Sequence, residues 1–337
     1  MAVSRLATFG LAMTLLLPAW PGALQAQRAA PDSVRLLLRA GRSAEAFAYA
    51  GEAIRSAPGD PGAYAARAVA ALAVEEFDVA TAAADSALAL APGVSGYQLI
   101  YGQAYLSHAR ADPGIAAIGK VKKGRAALER AIELDPDNLK ARSTLMQFLL
   151  QAPGFAGGSR DGARRQASEI ARRDRVEGLR ARLEVAVAEG DKDELRDLFS
   201  EALPSLGADS GGGGPPLIGA FLEAAAGLRN EDLRESLTAQ VYAAYPDHPV
   251  AAYHRARLWV IEGERLPEAE RLLLGYLSGP ERRGGTASRA GAHWRLGQLY
   301  ERQDREAYAS EQYRLAASLD PRLKPGRRSP GRLESEL

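Results

Sequence analysis

Cysteine is absent from the 337-residue sequence. Its absence excludes disulfide bonds, cysteine metal ligands, a thiolate nucleophile and an N-terminal cysteine that carries lipid. Histidine is scarce, with four residues, and no two of them stand at the short spacings that metal-binding motifs use. The sequence therefore predicts no catalytic residue, no metal ligand and no cofactor.

An excess of charge of one sign is also absent, because 43 basic residues face 42 acidic ones. Proteins that bind nucleic acid usually carry a strong basic excess, so nucleic acid is not expected as a partner. Long apolar runs are missing beyond the N-terminal segment, since no stretch approaches the 18 residues of a membrane helix. No integral membrane segment is therefore expected once the N-terminal segment is removed.

The N-terminal segment has the pattern of a secretory signal peptide. Arg5 precedes a short apolar run over residues 6–17, and Ala26 supplies a small residue for cleavage after that run. Residues 1–26 are predicted as the signal peptide, so the mature chain would begin at Gln27 and be exported to the periplasm or secreted. A retained N-terminal anchor is the alternative.

A spacing of 34 residues organises the chain that follows. Pro58 and Pro92 are separated by this distance. Alanine stands five and twelve residues before each proline, at Ala46, Ala53, Ala80 and Ala87. A 34-residue period with small residues at fixed positions is typical of repeats built from a pair of helices.

The last repeat carries the most complete pattern. Leu296, Gly297 and Tyr300 form Leu-Gly-x2-Tyr, and Ala309 and Tyr313 follow as Ala-x3-aromatic. With Pro321 closing the repeat, these residues closely resemble the tetratricopeptide repeat family. One position departs from the family pattern, because His293 holds the place of its tryptophan and Trp294 comes one residue later.

The resemblance implies an all-α fold, a right-handed superhelix of about eight helix pairs. Two stretches of tetratricopeptide-like pairs are predicted, over residues 32–208 and 217–323. Between them, 209–216 is rich in glycine and proline and is predicted as a loop or hinge. The tail 324–337 is predicted to be disordered.

Two pairs are longer than the 34-residue period. The third contains ten extra residues, expected near 108–119, and the fourth contains five in the loop 152–159. This loop and the helix before it resemble a segment of some exported bacterial tetratricopeptide proteins. Phe155 is expected to fold back on a neighbouring helix, while Ser159 or Asp161 is expected to cap the next helix.

Basic and acidic residues are segregated in the middle of the chain. Residues 160–182 contain eight arginines and four acids, whereas residues 184–201 contain seven acids and two bases. Solvated helix faces are one interpretation of this pattern. A bipolar surface that steers a charged partner is the other.

The resemblance also implies where a partner would bind, because the first helices of successive pairs line a concave groove in this family. The register selects twelve groove candidates, which are Leu99, Gln103, Arg142, Leu145, Phe148, Arg180, Glu184, His254, Leu258, Trp294, Gln298 and Glu301. Trp294 has two interpretations, since it either points into the groove as an anchor or packs inside its own repeat.

The predicted function is a protein-binding scaffold of the bacterial periplasm or cell envelope. Its partner would be another protein or a peptide, held in the groove by burial of surface. One alternative is a hydrolase or peptidase whose unrecognised site lies in the long third and fourth pairs. Another is an obligate subunit of an envelope assembly complex.

Overall fold

The computed structural model describes residues 21–207, 217–279, 287–321 and 323. Within these ranges there are sixteen α-helices and no β-strand. The all-α helical-repeat class predicted from the sequence is therefore confirmed, while the handedness of the superhelix stays a prediction. Most of the predicted signal peptide, the segment 209–216 and the tail 324–337 lie outside the described residues.

The helices divide between two compact units, Met1–Ala141 and Arg142–Leu337. The first unit contains α1 to α6, at Pro21–Arg39, Ser43–Ser56, Pro61–Ala73, Phe77–Leu90, Ser95–Ala111 and Ile115–Leu134. Helix α7, Leu139–Gln151, crosses the boundary. The second unit contains α8 to α16, at Arg160–Ala171, Arg175–Glu189, Lys192–Ala202, Leu217–Ala226, Glu231–Ala244, Pro249–Glu262, Leu266–Ser278, Arg289–Arg302 and Glu306–Leu319.

Small residues let the helices of the first unit approach closely. Helices α3 and α4 are rich in alanine, and the alanines at the repeat positions Ala80 and Ala87 are fully buried. In the next pair, a Cβ atom added at Gly102 would lie 2.7 Å from the Leu128 side chain. A Cβ at Gly124 would lie equally close to Leu106. Helices α5 and α6 therefore approach each other closely at two glycines, one on each helix, which have no side chain.

The extra length of the third pair is helical. Compared with α3 and α4, which have 13 and 14 residues, α5 has 17 and α6 has 20. The connection between the two helices has the same length in both pairs, since three residues join α3 to α4 and three join α5 to α6. All ten surplus residues therefore lengthen the helical hairpin, at the end where the sequence placed them.

The loop of the fourth pair depends on two glycines. It contains a short 3-10 helix, Gly154–Ala156, followed by Gly157 with a φ of 95°. A Cβ atom at Gly158 would lie only 1.7 Å from the carbonyl oxygen of Ala152, so no other residue fits this path. The Ser159 hydroxyl caps α8 by accepting from the Gly162 amide at 3.0 Å, as predicted.

The expectation for the aromatic residue of this loop is wrong. Phe155 does not fold back on a helix, because it is 90% exposed to solvent. The reason is that the residue lies on the outer side of the 3-10 turn, which the two glycines close tightly.

A continuous apolar core runs through the second unit from Leu179 to Tyr313. It includes residues on both sides of the glycine-rich segment, and the rings of Phe199 and Phe221 meet edge to face at 4.8 Å. The compact units consequently divide at residue 141 and not at 209–216. Helices on both sides of that segment share one hydrophobic core.

The segregated charges of the middle region pair with each other. On α8, Arg164 bonds the Glu189 carboxylate of α9 at 2.7 Å. On α9, Arg182 contacts Glu194 and Glu201 of α10 at 2.9 and 2.7 Å. The arginine-rich and acid-rich segments thus neutralise each other locally, which argues against a bipolar steering surface.

Candidate functional site

Four of the predicted groove residues are buried, namely Leu99, Arg142, Leu145 and His254. Leu99 and Leu145 are 7% and 4% exposed, and Arg142 is 6% exposed. Arg142 donates a hydrogen bond from Nη1 to Gln166 Oε1 on α8 at 3.1 Å. Leu99, Arg142 and Leu145 pack between helices, so the structure does not place them on an open face where a partner would meet them.

The other candidates of the middle pairs are partly exposed. Gln103 and Phe148 are half-buried, and Arg180 lies 3.6 Å from Glu177 on its own helix. The Glu184 carboxylate accepts from Gln147 Nε2 at 3.4 Å, and burial raises its pKa.

Of the candidates in the last pair, Trp294 and Glu301 contact the partner helix α16, and Gln298 contacts a residue of its own helix. The half-buried Trp294 ring lies 4.8 Å from the Tyr313 ring of α16. The Tyr313 hydroxyl donates to Glu301 Oε2 at 2.6 Å, and Gln298 Oε1 accepts from Arg295 at the same distance. These contacts favour the interpretation in which Trp294 packs inside its own repeat.

His254 and Leu258 are the candidates that border a cavity. The cavity has a volume of about 160 Å³ and lies among α11, α12 and α13 in the second unit. Its residues are Leu222, Ala226, Glu231, Arg234, Thr238, Tyr242, His254, Arg257, Leu258, Ile261 and Glu262. We refer to this space as the α11–α13 cavity; most of its wall is apolar.

Two buried polar residues, His254 and Arg257, line the cavity and contact the partly exposed Glu223 of α11. Arg257 is 8% exposed and donates from Nη1 to Glu223 Oε2 on α11, and the same oxygen lies 3.7 Å from His254 Nδ1. Burial lowers the pKa of His254 to about 4, outweighing the opposite effect of Glu223. The imidazole is therefore neutral at pH 7, and the Arg257 charge is balanced by Glu223.

Glu231 and Arg234 of α12 and Glu262 of α13 also line the cavity. The Arg234 guanidinium lies 3.2 Å from Glu231 and 3.8 Å from Glu262. Burial raises the pKa of Glu262, the neighbouring Arg234 lowers it, and the carboxylates of Glu264, Glu231 and Glu235 raise it further. This carboxylate is thus held where its negative charge is unfavourable.

The cavity lacks an activated nucleophile among these residues. The only hydroxyl on its wall besides Tyr242 is that of Thr238, which donates to backbone carbonyls of its own helix, Arg234 at 2.9 Å and Glu235 at 3.2 Å. In the described part of the chain, no three His, Asp or Glu side chains converge as a metal site. Among the same residues, no helix is both long and apolar enough to span a bilayer.

Both units are built from successive helical hairpins, which defines the class of α-helical repeat proteins. Residues 290–323, the pair α15–α16, match the family model of the tetratricopeptide repeat. The earlier pairs are also built from two consecutive helices joined by a short connection. This repeat supports a general role as a protein-interaction scaffold.

Three solved structures illustrate the similarity. A thermophilic tetratricopeptide protein of Thermus thermophilus has 18% identity and a TM-score of 0.48, covering 59% of this chain and 97% of its own. A tetratricopeptide protein of Parabacteroides merdae has 12% identity and a TM-score of 0.41, and the match covers 88% of this chain and 94% of its own. The C-terminal part of a tetratricopeptide protein from Cytophaga hutchinsonii has 11% identity and a TM-score of 0.45, and the match covers 86% of this chain and 95% of its own.

At these TM-scores the likenesses carry no argument, and the resemblance to the tetratricopeptide repeat rests on the match over residues 290–323. No curated protein matches the sequence significantly. Of the residues that line the α11–α13 cavity, the repeat register of the sequence selects His254 and Leu258 and misses the others. No pattern in the sequence predicts the cavity beside these two residues, because the cavity depends on how α12 packs against α11 and α13.

Proposed function

We propose that the protein is an exported bacterial scaffold that binds a peptide segment of another protein in the α11–α13 cavity. One observation carries the proposal: the cavity lies beside His254 and Leu258, two positions that the repeat register also assigns to a partner-binding face. Concave apolar pockets with a few polar groups are the usual form of a binding site. An anchor side chain buried in such a pocket supplies much of the binding energy of an interface.

A cavity-filling substitution tests this proposal. Ala226 lines the cavity from α11, so Ala226→Leu places a larger side chain in the space that the partner would occupy. We expect partner capture from an envelope extract of the native bacterium to fall at least tenfold. The measurement is quantitative pull-down with immobilised protein, accompanied by circular dichroism to confirm that the variant is folded.

The matched control is Ala239→Leu on α12, where the alanine is exposed and does not line the cavity. This variant should capture the partner as the parent protein does. Unchanged capture by Ala226→Leu would instead place the binding surface elsewhere on the chain.

Export is the second part of the proposal, and it is supported by the charged, apolar and small-residue segments of residues 1–26. We expect the mature protein isolated from its native host to begin at Gln27. N-terminal sequencing of the envelope fraction checks this expectation. A chain that keeps Met1 in the cytoplasmic fraction would contradict it.

The rival functions have less support. The sequence placed a hydrolase site in the third and fourth pairs, but the surplus there forms helix ends and a glycine-closed turn. An obligate subunit of an envelope assembly would purify from its host with a stoichiometric partner. The same pull-down therefore separates that alternative from a scaffold with exchangeable partners.

A further inference from the structure

We infer that the α11–α13 cavity of one molecule accepts the Phe155 side chain of a second copy of this chain. The inference rests on the proposed function, because it names an occupant for the same cavity. Three observations carry it. The cavity has the size of one aromatic ring, its wall requires an uncharged occupant, and the chain presents such a ring on an ordered loop.

The cavity is large enough for one aromatic side chain and is accessible from solvent. Its volume is about 160 Å³, and apolar cavities of about 150 Å³ in protein interiors take up benzene. The lining residues Ala226, Leu258 and Ile261 are only half-buried, and the lining residues Glu231 and Glu262 are exposed. A phenyl ring that approaches from solvent therefore meets an apolar space that it can fill.

The charged groups of the wall are already paired. The Arg234 guanidinium lies 3.2 Å from Glu231 and 3.8 Å from Glu262, and Arg257 is bound to Glu223 of α11. The wall thus contains two guanidinium groups and two carboxylates. A charged side chain placed among them would lose its hydration without gaining a free counter-charge. The occupant is consequently an uncharged, apolar group.

The loop of the fourth pair presents a group of this kind. Phe155 is 90% exposed, and the next most exposed aromatic side chain in the described part of the chain is Tyr308, at 54%. The sequence contains no charged residue between Arg142 and Arg160. The ring of Phe155 therefore reaches a second molecule on a loop that brings no charge of its own to the cavity.

Hydrogen bonds within this loop hold the ring in place before any contact is made. The amides of Gly157 and Gly158 donate to the carbonyl oxygens of Gly154 and Pro153, each at 3.0 Å. A segment that is ordered beforehand loses little conformational freedom on binding. One aromatic anchor in a well-fitting pocket supplies much of the binding energy of an interface, and Phe155 meets both requirements.

The ring and the cavity belong to the same compact unit, so every molecule carries both. The contact therefore joins two different surfaces of identical chains. Such contacts allow each molecule to bind through one surface and to be bound through the other. We expect the average mass of the parent protein in solution to rise with its concentration.

Two variants each remove one side of the contact. Phe155→Ala removes the ring, and Ala226→Leu fills the cavity. Each variant alone should associate at least tenfold more weakly than the parent. Sedimentation equilibrium of the purified protein over a concentration series gives the association constants. Circular dichroism checks the fold, which Phe155→Ala should preserve because the ring is exposed.

A mixture of the two variants is the decisive measurement. Phe155→Ala keeps an intact cavity, whereas Ala226→Leu keeps an intact ring. The mixture should therefore recover association, and it should stop at a one-to-one complex because neither variant carries both surfaces. A mixture that remains monomeric would overturn the inference.

Two substitutions in the second unit serve as matched controls. Leu274→Ala removes an apolar side chain of α14 that is 47% exposed. Ala239→Leu adds the same bulk as Ala226→Leu at an exposed position outside the cavity. Both controls should associate as the parent does.

Two partial results would also refute the inference. If Phe155→Ala weakens association and Ala226→Leu does not, the ring binds at another place. If only Ala226→Leu weakens it, another segment of the chain enters the cavity.

Failure of the inference can be distinguished from failure of the proposed function. A parent protein that is monomeric at every concentration refutes the inference, whereas loss of native-partner capture by Ala226→Leu still supports the proposed function. If both are correct, Phe155→Ala should capture the native partner at least as well as the parent, because no second copy competes for the cavity. Normal capture by Ala226→Leu refutes the proposed function, whatever the self-association shows.

Discussion

Acidification from pH 7 to pH 4 is expected to reduce the unfolding free energy by about 3 kcal/mol through His254 alone. The imidazole is 4% exposed, and burial lowers its pKa from 6.5 to about 4 in the folded protein. Among its charged neighbours, Glu223 opposes this shift, while Arg257 and Arg295 add to it. The result is a group that the folded state keeps neutral far below the usual pKa of histidine.

The direction of the effect follows from proton binding. Below pH 6.5 the unfolded chain takes up a proton on this imidazole, whereas the folded chain does not until the pH approaches 4. The unfolded state therefore binds more protons throughout this window, and stability falls as the pH falls. Above pH 6.5 both states are neutral at this position, and its contribution no longer depends on pH.

Urea unfolding of the parent protein and of His254→Gln at pH 7 and pH 4 measures the effect. Glutamine does not titrate, so the variant should lose about 3 kcal/mol less than the parent over this interval. Other acidic groups affect both proteins equally and cancel in the comparison. Parallel losses of stability in the two proteins would show that His254 takes up its proton in the folded state as well.

Gly297→Leu is expected to destabilise the protein by about 1–3 kcal/mol. A Cβ atom at this position would lie 2.5 Å from the ring of Tyr313, closer than atoms can approach. The ring cannot simply move aside, because it packs against Trp294 and its hydroxyl is bonded to Glu301. The substitution must therefore separate α15 from α16.

The chain offers a matched control in Gly275→Leu on α14, where nothing lies within 4 Å of an added Cβ atom. This control should be neutral or slightly stabilising, since leucine favours a helix more than glycine does. Urea unfolding measures both variants, and hydrogen exchange should localise the damage of Gly297→Leu to the last pairs. Equal stability of Gly297→Leu and the parent would contradict the close contact.

The residues that sequence reasoning placed correctly are those whose role depends on the local chain. Gly297 touches Tyr313 as its repeat position requires, and the Ser159 hydroxyl caps α8. Such roles are set within one turn or one helix pair, so a single sequence carries enough information to find them.

The partner-binding face was harder to predict, because it depends on how consecutive pairs pack. Register alone treats Leu99, Leu145 and His254 as equivalent positions. All three side chains are buried in the structure, and His254 also borders the α11–α13 cavity. The difference comes from the side chains that neighbouring helices bring to each site, and no repeat pattern specifies those contacts.

Phe155 shows a second limit. An aromatic residue in a glycine-rich loop is expected to be buried against a neighbouring helix. The ring of Phe155 is exposed instead, because the turn that carries it is tight. The backbone geometry of the two glycines decides the direction of the side chain. The amino-acid composition of the loop does not predict that geometry.

The lengthened hairpin of α5 and α6 shows how a protein of this kind can change in size. Its ten surplus residues extend both helices but leave the three-residue connection unaltered. Helix pairs are in contact mainly with adjacent pairs, so material added at the free end of one hairpin disturbs few existing contacts. Evolution can therefore use hairpin ends as sites of growth, where new surface arises without a new fold.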